Sequence, residues 1–100
     1  MNIILTEDAK YFVKQQLEEG APLRVVAFDT FECSTMVDYK LMKDSKKEND
    51  QMIEVEGITF LYDQKAIDEI GDYLKIDYIS NQGIKLTNKN QILAYARSIE

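Results

Sequence analysis

The chain has 100 residues and a formal net charge of −6, and it is 45% hydrophobic and 30% charged, which is typical of an ordered globular domain. The acidic balance argues against a nucleic-acid partner, because binding to the phosphate backbone depends on lysine and arginine. The sequence has no histidine, which excludes Ser-His-Asp and Cys-His catalysis, histidine metal sites and histidine pH switches.

The sequence gives no indication of a membrane span or a secretion signal. No run approaches the roughly 20 apolar residues that span a bilayer. The first residues, M-N-I-I-L-T-E-D, lack the basic and long apolar regions of a signal peptide. The one cysteine, Cys33, cannot form an internal disulfide, which fits a reducing compartment. We therefore expect a cytoplasmic protein without a membrane segment, organised as one domain over residues 1–100.

The first 20 residues predict a strand and a helix. An apolar run at 2–5 favours an edge strand, and Thr6 has the character of a helix N-cap. Apolar residues then recur at helical spacing, at Ala9, Phe12, Val13 and Leu17. The pattern predicts a helix over 7–19, ended by Gly20.

Two strands and two loops follow. Apolar residues on both faces predict a strand over 23–29 that is covered on both sides. Alternation predicts a second strand over 36–43, and the intervening residues form a loop that carries Cys33. Residues 44–50, D-S-K-K-E-N-D, contain no apolar anchor, which favours a mobile loop rather than a site.

The second half of the chain predicts further strands and two helices. Residues 51–62 are typical of a hairpin or a bulged pair of strands, and 64–70 of a short helix for which Asp63 is a suitable N-cap. Strands are predicted at 74–79 and 84–86, on either side of a turn at Asn81-Gln82-Gly83. The last apolar residues fall at helical spacing, namely Ile92, Leu93, Ala96 and Ile99, which predicts a closing helix over 89–99.

The Cys33 loop is the candidate for chemistry, and the residues leave two interpretations open. A free cysteine is most often a small buried hydrophobe, whereas a cysteine in a loop is also suited to bind a ligand or to react. The neighbouring acids Glu32 and Asp29 would raise the pKa of the thiol, which disfavours thiol catalysis.

The central stretch resembles a known family. Residues 23–41, L-R-V-V-A-F-D-T-F-E-C-S-T-M-V-D-Y-K-L, resemble the first cysteine motif of the HesB/IscA-like family, the A-type iron–sulfur carriers. That motif is a strand, a loop ending in C-S-G-M, and a second strand. Residues 74–90, L-K-I-D-Y-I-S-N-Q-G-I-K-L-T-N-K-N, are similar to the family's L-D-F and N-P-N segment. The resemblance covers about residues 3–90.

The resemblance implies both a fold and a function. It implies a mainly β fold, a HesB-like β-sandwich or distorted barrel that is α+β by content, with helices near the N-terminus, at 64–70 and at the C-terminus. The implied function is that of a non-catalytic carrier or scaffold in iron–sulfur cluster biosynthesis. Cys33 would bind iron or a cluster, with Glu32 and Asp29 as additional oxygen ligands. The implied partners are assembly or recipient proteins and a second copy in a homodimer.

The chain also departs from the family pattern. Carriers of the family have a C-x-C pair after the N-P-N, whereas this chain continues as Q-I-L-A-Y-A-R-S-I-E without cysteine, and Thr35 replaces the glycine of the motif. A [2Fe–2S] cluster needs four ligands, normally thiolates, and two copies of Cys33 supply only two. A labile site or a site for a single iron ion is therefore one expectation. The alternative is a metal-free binding or regulatory module, with an apolar partner surface formed by Tyr95 and Ile99.

Overall fold

The computed structural model describes residues 1–30 and 36–100. Within them the chain forms eight strands and two helices, in the order β1 (Asn2–Leu5), α1 (Glu7–Gln16), β2 (Leu23–Thr30), β3 (Met36–Lys43), β4 (Gln51–Val55), β5 (Ile58–Tyr62), α2 (Gln64–Ile70), β6 (Tyr73–Ile79), β7 (Gly83–Thr87) and β8 (Ile92–Arg97). The prediction of a mainly β fold with α+β content is confirmed.

The described strands form two mixed sheets of four strands each. The first has the order β1-β6-β7-β8, in which β1 is parallel to β6 and the other pairs are antiparallel. The second has the order β3-β2-β5-β4, in which β2 and β3 pair along their whole length while β2 and β5 are parallel over only two residue pairs. These ladders do not close into a barrel within the described residues.

The core is built mainly from strand residues of both sheets, together with Val13 of α1. Its most deeply buried side chains are Phe60, Leu23, Leu41, Leu61, Leu74, Ile76, Ile84, Leu86, Val13 and Val25. Because successive strand residues point to opposite faces, the inward set of β2 continues as far as Ala27, and Asp29 then emerges at the end of the strand. The core therefore fixes the base of the loop that follows β2.

Each helix is capped by a side chain predicted for that role. The Thr6 hydroxyl accepts a hydrogen bond from the amide of Ala9 at 3.2 Å, and Asp63 accepts one from Ala66 at 3.0 Å. The helix predicted over 7–19 ends earlier, at Gln16, because Leu17 is already extended, with φ of −106° and ψ of 144°. The structure thus shortens this helix by three residues.

The prediction of a C-terminal helix over 89–99 is wrong. Its central residues form β8, which pairs with β7 through Leu86 and Ala94, and Ala96 adopts a left-handed φ of 56°. The edge of β7 offers unpaired backbone groups to these residues, and the gain from pairing outweighs the helical spacing of their side chains. Beyond β8, Ile99 bridges to Leu41 of the second sheet.

Candidate functional site: the base of the Cys33 loop

Two paired strands carry the candidate loop. The last described pair is Thr30 with Met36, and the Thr30 hydroxyl donates a hydrogen bond to the carbonyl of Met36 at 3.3 Å. Cys33 and Glu32 lie in residues 31–35, outside the described part of the chain. The antiparallel ladder holds the two ends of this five-residue segment side by side.

Asp29, the third predicted site residue, is engaged in an ion pair. Its Oδ1 lies 3.0 Å from Nζ of Lys65, and the same ammonium lies 3.8 Å from Glu69. The hydrogen bond with Asp29 is the main reason that the pKa of Lys65 is raised above its ordinary value. A metal ion at Asp29 would have to displace or share this carboxylate with Lys65.

Helix α2 places Lys65 at this position. Asp63 caps the helix, and Ala66 and Ile70 are buried, which turns Lys65 towards the end of β2. The ammonium of Lys65 therefore counters the negative charge of Asp29 at the end of β2.

A second set of ion pairs connects β3 to the C-terminal segment. Both carboxylate oxygens of Asp38 accept hydrogen bonds from Arg97, at 2.9 and 3.0 Å, and Lys40 contacts Glu100 at 3.1 Å. Lys40 also lies over the ring of Phe28, 5.0 Å from its centroid. The segment where carriers of the resembled family have their C-x-C pair is therefore tied down here by charge pairs and strand pairing.

The apolar partner surface predicted at Tyr95 and Ile99 is not formed as expected. The closing helix that would have joined these two residues is absent from the described fold. Tyr95 is 50% exposed, whereas Ile99 packs against the core and bridges to Leu41. The two side chains therefore do not combine into one helical face.

No metal-binding group is found among the described residues. Within 1–30 and 36–100, no three His, Cys, Asp or Glu side chains lie close enough together to hold an ion. Of the three predicted ligands, Cys33 and Glu32 lie in residues 31–35, outside the described part of the chain. Asp29 is the described one, and its carboxylate is already bonded to Lys65.

Sequence reasoning missed Arg24. This residue is only 7% exposed, and its guanidinium donates to Asp50 at 2.5 and 2.6 Å, to Asp44 at 2.8 Å and to the carbonyl of Ser45 at 3.1 Å. The loop 44–50, expected to be mobile, is instead attached to β2 through this side chain. The sequence did contain a signal for this contact, namely a lone arginine within an apolar strand and two aspartates in the loop at 44–50.

The Arg24 contacts have a clear electrostatic effect. Hydrogen bonding to Arg24 is the main cause that lowers the pKa of Asp50 to about 2. The pKa of Asp44 is also lowered, first by the hydrogen bond from the Ser45 amide and then by Arg24. These paired charges are satisfied by each other, which indicates a structural clamp rather than a catalytic group.

The described residues include no helix that is long and apolar enough to cross a membrane.

The chain is similar to a known family in sequence and to known proteins in fold. Residues 1–100 match the family model described as "Iron-sulphur cluster biosynthesis". No curated protein matches the chain in sequence.

Several solved structures have a similar fold. SufA of Escherichia coli, involved in biosynthesis of iron–sulfur clusters, superposes with a TM-score of 0.72 at 20% identity, over 89% of this chain and 82% of its own. A candidate Fe-S biosynthesis protein of Lactobacillus acidophilus gives 0.76 at 14% identity, over 99% and 88%. One from Lactobacillus salivarius gives 0.72 at 20% identity, over 100% and 97%. At these identities the likeness establishes the fold.

Proposed function

Because the chain belongs to the iron–sulphur cluster biosynthesis family, we propose that it carries iron or an iron–sulfur cluster as cargo on the β2–β3 loop, with Cys33 as the thiolate ligand. The observation that carries the proposal is the match of the family model to the whole chain, residues 1–100. The Cys33 loop is the segment in which this chain retains the family's cysteine motif.

The ligand chemistry favours loosely held cargo. Thiolate is the preferred ligand of iron–sulfur clusters, and each chain supplies one. Carboxylates such as Glu32 and Asp29 are harder ligands that suit single iron ions better than clusters. Asp29 must also be shared with the ammonium of Lys65 at 3.0 Å. The proposed cargo is therefore held weakly enough to be passed on.

The role we propose is non-catalytic. A thiol enzyme requires a neighbouring base or a lowered thiol pKa, and the chain has no histidine to act as that base. The proposed partners are the proteins that supply or receive the cargo, together with a second copy that doubles the number of thiolates. We also propose that residues 1–100 act as one domain and that the protein works in the reducing cytoplasm.

Anaerobic reconstitution tests the proposal. The full chain is incubated with ferrous iron and sulfide and desalted, and bound iron and visible absorbance are measured per chain. The proposal expects bound iron that is lost in Cys33→Ser and kept in Ser34→Ala, the matched change at the adjacent position. Absence of bound iron, or equal iron in Cys33→Ser, would refute it.

A metal-free binding module is the second candidate function, favoured by the engagement of Asp29 with Lys65. In that case the fold is retained and its partners are recognised without iron. The candidate expects Cys33→Ser to leave both the bound partners and the metal content unchanged. A loss of partners in that variant would contradict it.

A further inference from the structure

A shallow groove with aromatic walls lies between α1 and the end of β6. The groove has a volume of about 370 Å³ and is lined by Asp8, Tyr11, Phe12, Gln15, Tyr78 and Ser80. The four helical residues follow one another at positions i, i+3, i+4 and i+7, so they form one face of the helix. We propose that this groove binds an arginine side chain presented by another protein.

The aromatic walls suit a flat cation. The rings of Phe12 and Tyr78 stack with centroids 4.2 Å apart and planes inclined by 14°, and Tyr11 beside them is 69% exposed. A guanidinium group stacks on aromatic faces and is attracted by their negative π surface. A tyrosine that is mostly exposed next to a stacked pair offers such a face to a partner without any rearrangement.

The negative charge of Asp8 also favours a guanidinium group as the ligand of the groove. Asp8 is the only Asp, Glu, Lys or Arg among the lining residues, and none of the ion pairs between described residues includes it. A carboxylate at the end of an aromatic surface can bind a guanidinium bidentately while the rings cover its face. The net charge of −6 adds a long-range attraction for a basic partner.

The two elements that form the groove are bonded to each other before anything binds. The Thr6 hydroxyl donates to Asp77 at 2.8 Å, and the amide of Thr6 donates to the carbonyl of Ile76 at 3.1 Å. These bonds fix the start of α1 to β6, which carries Tyr78. Since α1 and β6 are already held together, binding does not have to bring these two elements into place.

A second copy of this chain is a poor occupant, because both of its arginines are already used. Arg24 is buried against Asp44 and Asp50, and Arg97 is paired bidentately with Asp38. The arginine must therefore come from a different protein. The inference goes beyond the proposed function and does not depend on iron binding by Cys33.

The test is an NMR titration of the full chain with the peptide acetyl-Gly-Gly-Arg-Gly-Gly-amide. The expected result is a set of chemical-shift changes confined to the amides of the groove residues. The same peptide with citrulline in place of arginine keeps the shape and lacks the charge, and it should leave those amides unmoved. Tyr11→Ala and Asp8→Asn should each weaken binding by about two- to fivefold, the range of exposed cation–π and ion pairs.

Tyr95→Ala is the matched control, because Tyr95 is also exposed, at 50%, but lies on β8. It should bind the peptide as the wild type does. Equal shifts with the citrulline peptide, unchanged affinity in Tyr11→Ala, or shifts spread over other acidic surfaces would overturn the proposal. Shifts of the groove amides on simple dilution of the protein would also overturn it, because they would identify a second copy as the occupant.

Discussion

The carboxylate of Asp29 and the ammonium of Lys65 lie 3.0 Å apart at the base of the Cys33 loop. The two residues are 36 positions apart in sequence, on β2 and α2, and both side chains are about 40% exposed, at 38% and 40%. The ammonium of Lys65 therefore occupies the position beside the carboxylate where a metal cation would bind. Lys65 and the proposed iron cargo would compete for Asp29.

Replacing Lys65 should strengthen ferrous-iron binding at the loop. In Lys65→Met the carboxylate of Asp29 no longer has a competing ammonium, and we expect affinity to rise roughly two- to fivefold, the value of an exposed ion pair. Lys65→Arg, which keeps the charge, is the control and should resemble the wild type. Anaerobic calorimetric titration measures the affinity. Unchanged affinity in both Lys65→Met and Asp29→Asn would remove Asp29 from the ligand set.

Breaking the clamp between Arg24 and the 44–50 loop should destabilise the fold. Arg24→Met leaves the Asp50 carboxylate, whose side chain is 3% exposed, without its partner. We expect the free energy of unfolding to fall by about 3 kcal/mol. Urea denaturation measures the change, and the double variant Arg24→Met/Asp50→Asn should recover part of the loss. A decrease below about 1 kcal/mol in the single variant would show that the loop is not held through Arg24.

Asp50 should also make stability depend on pH in the acid range. Its folded pKa of about 2 lies below the unfolded value near 3.9, so folding favours the ionised form. The contribution is fully present above about pH 5 and is lost as the pH falls from 4 towards 2. Urea denaturation between pH 2 and 6 should show a shallower decline in Asp50→Asn. Asp68→Asn, at an exposed carboxylate on α2, should keep the wild-type slope; equal slopes in all three proteins would contradict the assignment.

The sequence predicted the parts of the fold that depend on local patterns. Apolar residues on both faces located β2 and alternation located β3, while the capping residues Thr6 and Asp63 located the starts of both helices. The C-terminal segment was misassigned because the spacing of its apolar residues fits a helix, while the deciding factor was the unpaired edge of β7. Pairing with a distant strand leaves no signal in the local sequence.

The candidate site was likewise predictable only where its residues are close together in the sequence. The motif around Cys33 was visible in the sequence because it is continuous. The partners of Asp29 and Arg24 were not, because Lys65 is 36 positions away and Asp50 is 26 positions away. In a chain that is 30% charged, many pairings are open to each carboxylate, and only the folded structure selects among them.

The contact between β7 and β8 makes a specific prediction for Gly83. Its φ is +132°, and a Cβ atom there would lie 2.7 Å from the carbonyl oxygen of Arg97. We expect Gly83→Ala to lower the free energy of unfolding by about 2 kcal/mol or more, through backbone strain and steric clash. Gly20, with φ of +81° and open space around it, is the control, and Gly20→Ala should cost only about 1 kcal/mol. Equal losses in thermal or urea unfolding would contradict the close approach of β8.

The most direct test of iron binding by Cys33 is X-ray absorption at the iron edge of the full chain, loaded anaerobically with ferrous iron and no sulfide. With sulfide left out, any sulfur neighbour of the iron must come from the protein. We expect a sulfur neighbour in the wild-type protein and only oxygen or nitrogen neighbours in Cys33→Ser. A wild-type spectrum without sulfur, or a sulfur neighbour that persists in Cys33→Ser, would contradict the proposal that Cys33 holds the cargo.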